Sequence, residues 1–114
     1  MSEFEWVKVA DIEELIRRRK KMVSVDGEDI ALFLDGDNVY ALNDVCIHKQ
    51  RSLSKGTLLN GRVICPGHQW AYNLETGWEA EMEECQPTYP VKVENGEVHV
   101  IPKRRVLVQE PAAD

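Results

Sequence analysis

What most limits the fold of this chain is the spacing of its turn dipeptides. Asp26-Gly27, Asp35-Gly36-Asp37, Asn60-Gly61 and Asn95-Gly96 punctuate the sequence, and short runs rich in Val, Ile and Leu lie between them. Asp-Gly and Asn-Gly accept the positive φ angles that tight hairpin turns demand. The intervening runs read as strands at Glu5–Val9, Met22–Val25, Ile30–Leu34, Asn38–Leu42, Leu58–Leu59, Arg62–Ile64, Trp70–Leu74, Val91–Val93 and Val98–Ile101. Turns at intervals of roughly 8–12 residues predict an all-β sandwich or barrel. One segment departs from this rhythm. Asp11–Lys21 reads as a short helix or turn with Asp11 as N-cap and Ile12, Leu15 and Ile16 on one face. Its tail, Arg17-Arg18-Arg19-Lys20-Lys21, is the sharpest basic run in the chain. It is either a solvated edge or a docking patch for an acidic partner.

A length of 114 residues suits a single domain spanning 1–114, with an ordered core expected over roughly 4–101 and a frayed last stretch of about ten residues. Hydrophobic residues at 43% and charged residues at 30% fit a globular chain and exclude a disordered or fibrous one. Twenty acidic against 14 basic residues leave a net charge of −6, the wrong balance for a nucleic-acid binder. The start, Met1-Ser2-Glu3-Phe4-Glu5-Trp6, is acidic where a signal peptide needs a basic region. No apolar run approaches the ~20 residues of a membrane span. A cytoplasmic protein free of membrane is therefore expected. Its three cysteines, Cys46, Cys65 and Cys85, form an odd, sparse set that reads as reduced thiols or metal ligands.

Two cysteines and two histidines carry the chemistry. Cys46-Ile47-His48 is followed, after sixteen residues, by Cys65-Pro66-Gly67-His68. Each half falls in a loop beside a predicted strand, where the backbone can aim two side chains at one point. Isolated buried cysteines and satisfied histidines would not be expected to come in two such matching pairs. Tetrahedral zinc usually draws on Cys-Cys and His-His pairs. Here each loop offers one Cys and one His, which suits a dinuclear centre with both thiolates on one iron and both imidazoles on the other. Two ferric ions, two sulfides, two thiolates and neutral imidazoles sum to zero formal charge, so one added electron leaves such a cluster negative.

The segments Cys46-Ile47-His48, Gly56-Thr57-Leu58 and Cys65-Pro66-Gly67-His68-Gln69-Trp70-Ala71-Tyr72-Asn73-Leu74-Glu75-Thr76-Gly77, with the tail Tyr89 to Val98, resemble a Rieske-type [2Fe–2S] ferredoxin over roughly residues 4–101. The resemblance implies a Rieske fold of three stacked antiparallel sheets, with two loops holding one [2Fe–2S] cluster at one tip. It implies that Cys46 and Cys65 ligate the buried iron and that His48 and His68 ligate the outer one. Membrane-anchored respiratory relatives add a disulfide across the two loops. The corresponding places here hold Arg51 and Gly67, which cannot form one. Where those relatives place a serine and a tyrosine that donate to the sulfur region, this chain has Trp70 and Tyr72. Loss of one donor predicts a potential near the low end of the Rieske range. Trp70 resembles the residue found in ferredoxins of aromatic-ring monooxygenases, where it can pack, shield the cluster or shape a docking face. Gln69 stands where many relatives carry glycine.

The resemblance implies a soluble, monomeric one-electron carrier, not itself an enzyme. It would shuttle electrons from a flavin reductase to a terminal ring-hydroxylating oxygenase, with His48 and His68 as the exit edge. The alternative in the same fold is the small subunit of an assimilatory NAD(P)H nitrite reductase. A catalytic Rieske oxygenase also needs a mononuclear iron held by two His and a carboxylate. Three histidines less two cluster ligands leave only His99, and the chain is short for a catalytic domain. A structural zinc module is the non-redox alternative, and it would be colourless. Lys49, Arg51 and Lys55 are either a solvated basic loop or a means of balancing cluster charge and steering a partner. Cys85 reads as a buried or inert thiol, and Glu79, Glu81, Glu83 and Glu84 as a solvated acidic loop or a means of repelling a wrong partner. Pro87 is expected to help form a third loop over the cluster, and His99 to face solvent between Val98 and Val100.

Overall fold

A computed structural model describes residues 6–45, 52–66, 70–80 and 83–103. The chain runs β1 (Val7–Asp11), α1 (Ile12–Arg18), β2 (Lys20–Val25), β3 (Glu28–Asp35), β4 (Asn38–Asn43), a 3₁₀ turn at Leu53–Lys55, β5 (Thr57–Leu59), β6 (Arg62–Ile64), β7 (Ala71–Asn73), β8 (Trp78–Glu79), β9 (Glu84–Cys85), β10 (Val91–Glu94) and β11 (Glu97–Val100). Three antiparallel three-stranded sheets have the orders β1-β11-β10, β2-β3-β4 and β5-β6-β7, and β8 and β9 form a two-stranded ribbon. The expected all-β architecture of stacked antiparallel sheets is present.

The turn dipeptides act as their chemistry dictates. Asp26-Gly27, Asn60-Gly61 and Asn95-Gly96 each place two consecutive residues at positive φ, between 50° and 80°. That geometry matches the right-handed twist of the flanking strands and fixes their register. Gly36 at φ 65° opens the β3–β4 turn, where Asp35 pairs with Asn38.

The stacking follows from β3, which is buried on both faces. Ile30, Leu32 and Leu34 point into one core with Ala10, Leu15, Val98 and Val100; Ala31 and Phe33 point into a second with Leu53, Val63, Cys65 and Tyr72. A strand that alternates its side chains across a sheet can serve two cores only if another layer covers each face. The β2-β3-β4 sheet is that middle layer, with β1-β11-β10 on one side and β5-β6-β7 on the other.

Several elements depart from the sequence expectation. β1 begins at Val7 and continues to Asp11, two residues later than Glu5–Val9, because its pairing with β11 runs on past an irregularity between Lys8 and Ala10. Trp70 precedes β7 instead of beginning it, and Leu74 turns away to donate its N–H to Gly61 O at 3.0 Å. The ribbon β8–β9 has no apolar run to announce it. Helix α1 forms after Asp11, whose N–H donates to Glu14 Oε2 at 3.1 Å. It buries Leu15 and half-buries Ile12, but Ile16 is 59% exposed, so the three do not share one covered face. A residue one step past Leu15 is rotated by about 100° and turns toward water.

Candidate metal centre

The two candidate ligand loops grow from roots that the structure describes in detail. Val45 and Ser52 form an antiparallel bridge that closes the chain on either side of residues 46–51. Asp44 locks it. The Asp44 carboxylate accepts from Ser52 Oγ at 2.6 Å and from the Ser54 N–H at 2.8 Å, and its carbonyl accepts from the Leu53 N–H at 2.7 Å. With Asp44 only 5% exposed, these bonds replace lost hydration and hold the closure shut. Asn43 Oδ1 caps the Val45 N–H at 3.0 Å.

A third segment props this root from behind. The fully buried Gln86 donates through Nε2 to Asn43 O at 2.8 Å and Val45 O at 2.7 Å. Pro87 O accepts the Asn43 N–H at 2.8 Å, and Tyr89 Oη accepts from Asn43 Nδ2 at 2.9 Å. Pro87 thus lies beside the first loop's base.

The second loop leaves β6 at Cys65 and returns at Trp70, where the Cys65 N–H donates to Trp70 O at 2.8 Å. Cys65 is 1% exposed and its Sγ lies 3.5 Å from Pro66 O. Both roots share one core, since Leu53 from the first and Cys65 from the second belong to the same buried cluster. Gly56 welds them together. A β-carbon at Gly56 would lie 2.3 Å from Ile64 O, the residue before Cys65, and 3.1 Å from Leu53 O. Only glycine permits the first loop's exit to press this closely on the strand feeding the second.

Of the four candidate ligands, Cys65 is among the described residues; Cys46, His48 and His68 lie outside them, as do Lys49, Arg51, Gly67 and Gln69. Among the described residues, no group of three or more His, Cys, Asp or Glu could hold a metal ion. Cys65 itself fits a cluster ligand. Its sulfur lies in a dry position at the mouth of one loop, against the root of the other. Thiolate ligation to an iron–sulfur cluster uses such a residue. Trp70 is half-buried against the same core, and Tyr72 is fully buried within it, so the packing role open to Trp70 is occupied. Lys55 is exposed.

Three expectations for residues outside the motif are changed or refined. Glu79 is not part of a solvated loop: it stands in β8 and is 3% exposed, whereas Glu83 and Glu84 are exposed and Glu81 lies outside the described residues. His99 does not face solvent freely. It sits in the central strand of its sheet between Lys8 and Lys92, with its side chain 17% exposed and Nδ1 buried without a hydrogen-bond partner among the described residues. Cys85 is half-buried in β9 opposite Trp78. Sequence reading overlooked Asn43, Asp44 and Gln86, whose polar side chains flank the loops but form no local pattern with them.

Three stacked antiparallel sheets, with the roots of two loops set against each other beside a buried cysteine, define an all-β protein of stacked-sheet class. Residues 5–107 match the model of the Rieske [2Fe-2S] domain, and the chain belongs to that family. Among curated relatives, the ferredoxin CarAc of Metapseudomonas resinovorans is 34% identical over 106 residues, covering 88% of this chain and 96% of its own. The ferredoxin subunit of anthranilate 1,2-dioxygenase from Burkholderia cepacia is 32% identical over 98 residues, covering 84% and 91%. Among solved structures, the ferredoxin of carbazole 1,9a-dioxygenase from Nocardioides aromaticivorans IC177 superposes with a TM-score of 0.79 at 28% identity, covering 86% of this chain and 98% of that one. Among the described residues, no helix is long and apolar enough to cross a membrane.

Proposed function

We propose that this chain is the ferredoxin component of a ring-hydroxylating oxygenase system, receiving one electron from a flavin reductase and passing it to the terminal oxygenase. The observation that carries this reading is the joint rooting of the two Cys-His loops, Gly56 against Ile64 and Leu53 beside Cys65. It is supported by relatives that are ferredoxin components of dioxygenase systems, matched over 91% and 88% of their length. A related ferredoxin is also known in complex with the oxygenase of carbazole 1,9a-dioxygenase; it superposes here with a TM-score of 0.80 at 31% identity.

In this reading Cys46 and Cys65 hold one iron and His48 and His68 the other. The bound [2Fe–2S] cluster supplies reversible one-electron chemistry. The chain's own part is positional. Asp44, Gln86 and Gly56 hold the loop roots at a fixed separation, so that little rearrangement accompanies a change of charge. The buried surround of Cys65 keeps water from the thiolate side.

Electron paramagnetic resonance of the dithionite-reduced protein tests the ligand set. The native protein should give a Rieske g-value pattern, and Cys46→Ser or His68→Cys should each abolish it. An unchanged pattern in either variant would overturn the assignment. Stopped-flow reduction by a flavin reductase, followed by reoxidation by an oxygenase, tests the role. A stable complex with a sirohaem reductase in place of that turnover would favour the nitrite reductase reading.

A further inference from the structure

The basic run at 17–21 folds into a groove. Arg17 and Arg18 project from the last turn of α1, Lys20, Lys21 and Met22 from β2, and Ser54 closes the far side, around a volume of about 580 Å³. One carboxylate, Glu14, lies among them and is paired with Lys21. Four cations thus gather against one acid in a chain that carries a net charge of −6. Lys20 and Lys21 each have a partner within the fold, Gly56 O and Glu14, whereas Arg17 and Arg18 stand exposed at its surface. The groove exposes Met22 at its edge.

The location makes the groove more than a solvated face. Lys20 Nζ donates to Gly56 O at 2.5 Å. Gly56 is the residue pressed between the exit of the first loop and the strand feeding Cys65. Ser54, on the groove wall, is tied through its N–H to Asp44, the lock of the first loop. The groove is therefore built onto the roots of both candidate ligand loops.

We propose that this groove is a docking surface for a protein partner that presents clustered carboxylates. The cations of Arg17, Arg18, Lys20 and Lys21 would seat the acidic segment, and the Met22 edge would give it an apolar contact. A partner held there would lie beside the loop roots. Attraction of opposite charge steers encounter, and the remaining acidic surface would repel the same partner elsewhere, so the groove also orients it. That the partner is a redox protein rests on the electron-carrier reading; the surface itself does not.

Fluorescein-labelled hexaglutamate is a suitable probe, with the full-length, cluster-loaded protein. Anisotropy should show saturable binding at low salt that weakens as ionic strength rises. Carbodiimide cross-linking should join the peptide to Lys21 or Lys20, located by mass spectrometry. Arg17→Glu with Arg18→Glu, both exposed positions, should weaken binding by about tenfold or more while leaving the resonance spectrum unchanged. No saturable binding, cross-links confined to other lysines, or unaltered affinity in the double variant would overturn the proposal even where the native Rieske spectrum is present. A protein that binds the peptide as expected but gives no Rieske signal would overturn the redox identity of the partner and leave the surface standing.

Discussion

At the scale of single residues, the structure rests on positions with no spare space or no spare partner. Gly56 is the sharpest, because a β-carbon there meets a backbone carbonyl that no rotamer change can move. Gly56→Ala should destabilise the protein by about 1–3 kcal/mol, the usual range for overpacking. It should also speed loss of the cluster, readable as a lower urea midpoint and faster bleaching of visible absorbance under a chelator. Gln86 fails differently. Gln86→Leu keeps most of the volume but leaves the carbonyls of Asn43 and Val45 without the donor they share. Unpaired buried groups cost about 1–3 kcal/mol each. Because both carbonyls belong to the first loop's root, the expected result is lower stability together with a broadened resonance spectrum. A spectrum and urea midpoint like those of the native protein would show that the prop is dispensable.

At the scale of elements, α1 is held to β2 by an ion pair that pH can break. The Lys21 ammonium, by hydrogen bond and charge, and the Asp11 N–H both hold the Glu14 carboxyl below the ordinary carboxylate value, against a smaller opposing effect of burial. A lowered folded-state value stabilises the protein at pH above the unfolded value, and that stabilisation is lost as pH falls through the folded one. Glu14→Gln should therefore unfold at lower denaturant than the native protein at neutral pH, and the difference should shrink in strong acid. A difference that persists unchanged in acid would show that packing, not charge, is responsible. The two-residue turns were legible because Asn-Gly and Asp-Gly encode backbone angles locally. The β8–β9 ribbon was not, since two-residue strands carry no periodicity.

At the scale of the whole molecule, β1 and β11 pair near opposite ends of the described chain, and β3 lends a face to each of two cores. The loop roots thus inherit the stability of the full stack. The reduction potential also belongs to this scale. In the proposed cluster site, Trp70 would stand where respiratory relatives carry a hydroxyl donor; its indole is half-buried against the core, and without that donor one source of stabilisation for added negative charge would be absent. The expected midpoint lies near the bottom of the Rieske range, about −150 mV. A voltammetric value above about +100 mV would contradict it.

The pairing of Cys46 with His48 and Cys65 with His68, the hairpin turns and the all-β class were legible in the sequence alone, because each depends on residue types at fixed short spacings. The burial of Glu79, the covered side of His99 and the exposure of Ile16 were decided by tertiary packing, since each depends on what a distant strand lays across the residue. The same holds for the function of the loops' supports. Asp44 and Gln86 lie 42 residues apart in sequence, and only the stacked sheets bring their hydrogen bonds to one root. The basic run at 17–21 was plain as a string of charges. Its shape as a groove, and its attachment through Lys20 to Gly56, came from the fold, because charge is local while proximity to the loops is not.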